Sequence, residues 1–145
     1  MKVKGTQELI KKLRDFGEKA EKNVTDITKI TAQGIASVAT RNLNAYAGGD
    51  EYGKVAQSIN AFPEGKMQYS ISVNQLPMGA YLEFGTGIFV EVATEWKDIA
   101  WAFYVNGKGW MQPQPYLYPA YVKGREQYVK DLQSLIDNLS NKFNS

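Results

Sequence analysis

VAQSINAFPEGKMQYSISV, residues 55–73, is the stretch on which the reading of the fold turns. Met67, Tyr69, Ile71 and Val73 alternate with Gln68, Ser70, Ser72 and Asn74, and this period of two is that of a half-buried strand. Upstream, Val55, Gln57 and Ile59 alternate with Ala56, Ser58 and Asn60, which reads as a second strand. Between them Phe62-Pro63-Glu64-Gly65 has turn chemistry, so the stretch predicts a β-hairpin.

On the N-terminal side the period becomes helical. Leu9, Ile10, Leu13, Phe16 and Ala20 recur at three- and four-residue spacing, with Lys11, Lys12, Arg14, Asp15 and Glu18 on the other face. The pattern resumes at Val24, Ile27, Ile30, Gly34, Ile35, Val38 and Leu43, giving either one long helix over residues 6–46 or two joined near Asn23, a residue suited to an N-cap. Gly48-Gly49 closes it. On the C-terminal side residues 80–84 read as a third strand. Residues 99–105 read as a fourth, although Val92, Trp96, Ile99 and Phe103 also fit a helix. A loop rich in proline and aromatic residues follows over 106–118. Pro119 is placed as the first residue of a terminal helix, 119–143, with a stripe of Tyr128, Val129, Leu132, Leu135, Ile136, Leu139 and Phe143. The expected architecture is one α+β domain, 1–145. An antiparallel sheet of three to four strands (region 54–105) packs against a long N-terminal helix and a C-terminal helix.

Composition narrows the chemistry. The chain has 145 residues, enough for a core without covalent staples, and a net charge of +2, too small to name a partner. It has no cysteine and no histidine, which removes thiol nucleophiles, disulfides, imidazole bases and the usual nitrogen and sulfur ligands of zinc. No apolar run approaches the roughly 20 residues that span a bilayer. Met1-Lys2-Val3-Lys4-Gly5 leads into polar helix rather than a signal peptide, so the chain is expected to be made and kept in the cytosol, or to leave it only as part of something larger.

Several motifs fall short of a catalytic or ligand site. Gly48, four residues and Gly53-Lys54 approach the spacing of a phosphate loop, but Val55 stands where a magnesium-binding hydroxyl is required, and Asp50 and Glu51 would repel a phosphate. That segment is read as a helix stop and turn into a strand. Glu83, Glu91, Glu95 and Asp98 are the carboxylates from which an acid and a base could be drawn. Trp96, Trp101, Phe103, Tyr104, Trp110, Tyr116, Tyr118 and Tyr121 crowd one window with only Lys97 and Lys108 as cations, which suits a core or a partner surface better than stacked bases. Lys2, Lys4, Lys11, Lys12, Arg14, Lys19 and Lys22 are interleaved with Glu8, Asp15, Glu18 and Glu21, the pattern of a solvated helix face.

Three segments carry a resemblance: YGKVAQSI (52–59), AYLEFGTG (80–87) and QPQPYLYPA (112–120). In order and spacing the chain resembles the tail-component, or tail-completion, family of long-tailed bacteriophages, over nearly its whole length. Tyr52, Val55 and Tyr116 stand where that family usually has threonine, leucine and phenylalanine. The resemblance implies a structural virion protein of a phage or prophage, acting in tail completion or head–tail joining. It implies assembly as a homo-oligomeric ring, sixfold by the same likeness, that docks on other neck and tail proteins. It implies no catalysis, cofactor or metal, no specific nucleic acid and no membrane, with location in the tail or neck of the virion and in the host cytoplasm during assembly. The expected interface residues are Glu83, Phe84, Gly85, Thr86 and Gly87 with Pro113, Pro115 and Tyr116. The alternatives are a particle-associated carboxylate-dependent hydrolase and a nucleic-acid-binding module.

Overall fold

A computed structural model describes residues 6–46, 49–86, 92–98 and 111–144. Helix α1, Thr6–Asn44, is continuous over 39 residues, about 58 Å at roughly 1.5 Å per residue. It passes through Asn23 without a break. Thr25 and Thr28 donate back to the carbonyls of Glu21 and Val24 at 2.8 and 2.7 Å, which leaves the helical ladder intact there. The chain then enters a second helix, α2, Asp50–Gln57, with Asp50 and Glu51 at its positive N-terminal end. The strand expected from residue 55 therefore begins later. Val55 and Ala56, 1% and 5% exposed, are both buried, which consecutive strand residues on one half-buried sheet cannot be. A helix turns both, with Tyr52, toward Leu43 of α1.

The hairpin is β1, Ile59–Gly65, and β2, Gln68–Val73, antiparallel with Ile59 opposite Val73 and Pro63 opposite Tyr69. Its turn is Lys66-Met67, four residues beyond the start of the expected Phe62–Gly65 turn, with Met67 at φ 56°. Pro63 lies inside β1, next to an irregularity in register between Pro63 and Gly65. Among the described residues the sheet has these two strands only. The third strand expected over 80–84 is instead helix α3, Met78–Phe84, with Gly79, Ala80, Leu82, Glu83 and Phe84 all buried. A run buried at adjacent positions between Pro77 and Gly85 has no polar alternation to fix it as a strand, and tertiary contacts made it helical. The expected fourth strand, 99–105, lies outside the described residues.

Helix α4, Leu117–Asn144, begins two residues before Pro119. The proline stays in the first turn, where its missing N–H has no intrahelical acceptor to lose. It runs antiparallel to α1. Tyr116 O accepts from Asn42 Nδ2 at 3.1 Å, Gly124 faces Ile35, and the hydroxyls of Tyr128 and Thr28 meet at 2.9 Å. The hairpin also lies on α1, so α1 is the spine and most of α4 flanks the sheet instead of covering it. The expected stripe divides accordingly: Leu139 is buried, but Val129 and Ile136 are each 59% exposed. The core joins Ile35, Ala36, Ala39 and Leu43 of α1 to Val55, Ala56, Ile59, Leu82, Tyr116 and Ala120.

Gly124 sets the closeness of the two long helices, because a Cβ built there would lie 2.2 Å from Ile35 Cγ1 and 2.5 Å from its Cδ1. Gly124→Ala should cost about 1–3 kcal/mol in urea unfolding, the usual range for overpacking. The cost should shrink when Ile35→Ala is added, giving a non-additive double-mutant cycle. Equal cost in both backgrounds would show that the helices do not meet at this pair.

Candidate assembly site

Helix α3 stops at Gly85, whose φ of 77° and ψ of −178° suit glycine alone, and its N–H caps Tyr81 O at 2.8 Å. Thr86 and Met111 then bind each other twice: Thr86 N to Met111 O at 2.9 Å, and Met111 N to Thr86 Oγ1 at 3.2 Å. From Met111 the chain runs as an irregular strap beside α3, tied at Met111, Gln114, Pro115 and Tyr116. Gln114 N donates to Leu82 O at 2.7 Å, and its side-chain oxygen accepts from the Tyr52 hydroxyl. Pro115 O accepts from Tyr46 Oη at 3.0 Å, and Tyr116 Oη donates to Gly79 O at 2.9 Å. Gly79 has no room for a side chain, since a Cβ would sit 2.7 Å from Val73 Cγ1.

Glu83 is the centre of this arrangement. It is 5% exposed, and its carboxylate accepts the N–H groups of Tyr116 at 2.8 Å, Leu117 at 2.9 Å and Tyr118 at 2.9 Å. These are donors at the start of α4 that no helical carbonyl can satisfy. Helices usually cap them with a nearby Ser, Thr, Asp or Asn of their own; α4 borrows a carboxylate from α3. The negative charge also meets the positive end of the α4 dipole, and charge-assisted bonds offset the desolvation of a buried carboxylate. No buried side-chain nitrogen or oxygen among the described residues lacks a partner.

Outside this knot lies a cleft of about 460 Å³ lined by Phe84, Val92, Ala93, Trp96, Pro113, Pro115 and Tyr118, with Glu83 at its base. Trp96 meets Phe84 edge-on at 6.3 Å between centroids and Tyr118 edge-on at 5.1 Å, and tilts against Tyr121 at 5.9 Å. Arg125 lies 5.2 Å from the centre of the Tyr121 ring and 3.3 Å from Glu95. The rings and prolines give the cleft stiff walls.

The residues expected at an interface thus fall into two sets. Glu83, Phe84, Gly85 and Tyr116 are buried in the chain's own fold. Glu83 and Tyr116 act there as a cap and an anchor within the chain's own fold. Thr86 and Pro113 are half-buried, Pro115 is exposed, and Gly87 lies outside the described residues. Trp96 and Tyr118 were visible in the sequence only as members of an aromatic crowd. Asn42, Tyr46 and Gly79 gave no signal, because their roles rest on contacts across long loops.

The other expected sites disperse. Both oxygens of Glu83 accept backbone donors at the start of α4. Glu95 pairs with Arg125, Asp98 is exposed, and Glu91 lies outside the described residues. Around the near-phosphate loop, Gly49 is the N-cap of α2, so a helix follows where a strand was expected. The preceding element is α1, not the strand a phosphate loop requires, and Lys54 Nζ is held by Glu51 at 3.1 Å. No protein-family model, curated protein or solved structure matches the chain.

Burial, reinforced by the charge of Glu83, holds the Tyr116 hydroxyl well above its ordinary pKa of 10.0. Above that pH the unfolded chain releases this proton while the folded chain keeps it, so the stability Tyr116 contributes is present below pH 10 and declines above it. Tyr116→Phe should cost about 1 kcal/mol at neutral pH through the lost bond to Gly79. It should also lose less stability than the wild type between neutral pH and the alkaline range. Parallel alkaline declines in urea midpoints of the two proteins would show that the phenol is not held protonated.

Proposed function

We propose that this chain is a structural subunit of a bacteriophage or prophage tail or neck. It acts in tail completion or head–tail joining by assembling into a ring and docking, without catalysis. The observation that carries the reading is the convergence of the three segments behind the resemblance. Tyr52 from the first and Leu82 and Glu83 from the second each bind the third directly, at Gln114 and at Tyr116 to Tyr118. Segments that share a likeness to one family and form one knot are what a common fold requires.

The cleft supports the same reading. Ring subunits meet head to tail, so a rigid recess on one copy receives a projecting element of the next. Fixed aromatic rings with prolines at the rim suit an apolar anchor, and a recess of this size is in the range that encloses one. Stiffness comes from within the chain, since the cleft's floor is the strap that Glu83, Leu82 and Asn42 hold.

Pro113→Arg tests the proposal, because it places bulk and charge at the cleft while the bonds of Gln114 and Tyr116 remain. The variant should melt within about 2 °C of the wild type, because Pro113 is half-buried at the cleft and lies outside the core. It should fail to complement a phage or prophage lacking this gene, with unjoined heads and tails or misformed tails in electron micrographs. Normal particles would remove the cleft from assembly, and normal particles without the gene would remove the function.

A further inference from the structure

The two edges of the hairpin differ. Asn74 N donates to Ser58 O at 3.4 Å, and with Ile59 opposite Val73 this fixes the alternation of the ladder. Asn60 and Phe62 form the hydrogen-bonded pairs with Ser72 and Ser70, while Ile59, Ala61 and Pro63 turn their backbone groups outward, as Tyr69 and Ile71 do across from them. Pro63 agrees with this phase, since at an outward position it has no ladder donor to lose. The outer edge of β1 is therefore guarded by a proline and an irregular register. The outer edge of β2, Gln68–Val73, has no charge, proline or glycine. Edges are normally blunted by such features, and this one is left open for pairing. Among the described residues nothing hydrogen-bonds to the outward groups of Tyr69 and Ile71.

That edge is one wall of a groove of about 530 Å³, with Ala32 and Ile35 of α1 as floor and Tyr121 and Tyr128 of α4 as the opposite wall. The lining holds two charged groups, Glu64 and Arg125, and Arg125 already meets Glu95. Glu64 stands beside the hairpin turn, and the lining from Gln68 to Ile71 with Ala32, Ile35, Tyr121 and Tyr128 is uncharged, so the complement of that stretch is uncharged. Gln68 to Ile71 line it over roughly 10 Å, which matches about four residues of an opposing strand. Val129 and Ile136, four and eleven residues beyond Arg125 on the same face of α4, extend the apolar wall.

We propose that this groove receives an extended, uncharged segment of a second polypeptide, which adds to β2 as a further strand and packs against α4. Main-chain bonds to Tyr69 and Ile71 hold the segment, and its alternate side chains select by meeting Ile35 and Tyr128. The inference goes beyond the tail reading and stands on the edge and the groove, whatever particle the chain serves.

Amide exchange on the isotopically labelled full-length chain tests it, at a concentration shown by sedimentation to be monomeric. The probe is an end-blocked hexapeptide of alternating threonine and valine, with the same peptide N-methylated at alternate amides as control. Without probe, the Tyr69 and Ile71 amides should exchange fast while those of Ser70 and Ser72 exchange slowly. Adding the probe to millimolar concentration should slow Tyr69 and Ile71 by at least about tenfold, the protection that pairing gives an edge amide, and the methylated control should not. Slow exchange at Tyr69 and Ile71 in the probe-free monomer would mean that the same chain covers the edge, and would overturn the proposal. So would unchanged exchange with probe, or equal slowing by the control.

Discussion

One carboxylate, that of Glu83, holds together elements that sequence keeps far apart. It stands in α3, yet its acceptors are filled by the first turn of α4, 33 to 35 residues onward. Without it, three N–H groups at the start of α4, one buried and two part-buried, would lose their acceptor, at about 1–3 kcal/mol for each left unsatisfied. With it, the start of α4 is fixed in position relative to α3, and the strap Met111 to Tyr116 is drawn along α3 to meet Tyr46, Tyr52 and Asn42. Tyr116 completes the tie by reaching back to Gly79 at the other end of α3.

Everything else hangs from α1. The hairpin, α2 and α4 each pack on this one long helix, so the two outer layers flank it and leave a groove between β2 and α4. Small residues make the arrangement compact: Ala32, Ala36 and Ala39 on α1 are buried, and Gly124 lets Ile35 approach the backbone of α4. Two of the concave surfaces among the described residues differ in chemistry. One is stiff, aromatic and proline-lined beside the Glu83 knot; the other is bounded by a strand edge with free backbone groups.

Much of this was legible in residue periodicity, and the failures have physical causes. The long helices were readable because an amphipathic pattern sustained over 28 to 39 residues cannot be mistaken for alternation. Residues 55–57 and 80–84 were misread because runs of this length fit both periods. Their fate was decided by contacts with Leu43 in one case and by burial of adjacent residues, with only Tyr81 half-buried, in the other. The turn was misplaced because Pro63 announces a turn but sits instead at an outward position of β1, where a proline does no harm. At the candidate site, the sequence reading places Glu83 and Tyr116 at an interface, and the fold buries both as a cap and an anchor of the chain itself. A glutamate followed by Phe-Gly-Thr reads as a loop approach, and only the fold shows that its carboxylate points at a helix start 33 residues away.

Glu83→Gln is the most direct measurement of what holds the molecule together, because it keeps size and shape while replacing one acceptor oxygen with an NH₂ donor. The amides of Tyr116, Leu117 and Tyr118 are followed by hydrogen exchange alongside those of mid-α4. A capping carboxylate predicts that these three amides lose protection selectively, and that global stability falls by about 2–4 kcal/mol, as for a broken buried charge-assisted network. Wild-type protection at all three amides, with unchanged stability, would contradict Glu83 as the link between α3 and α4.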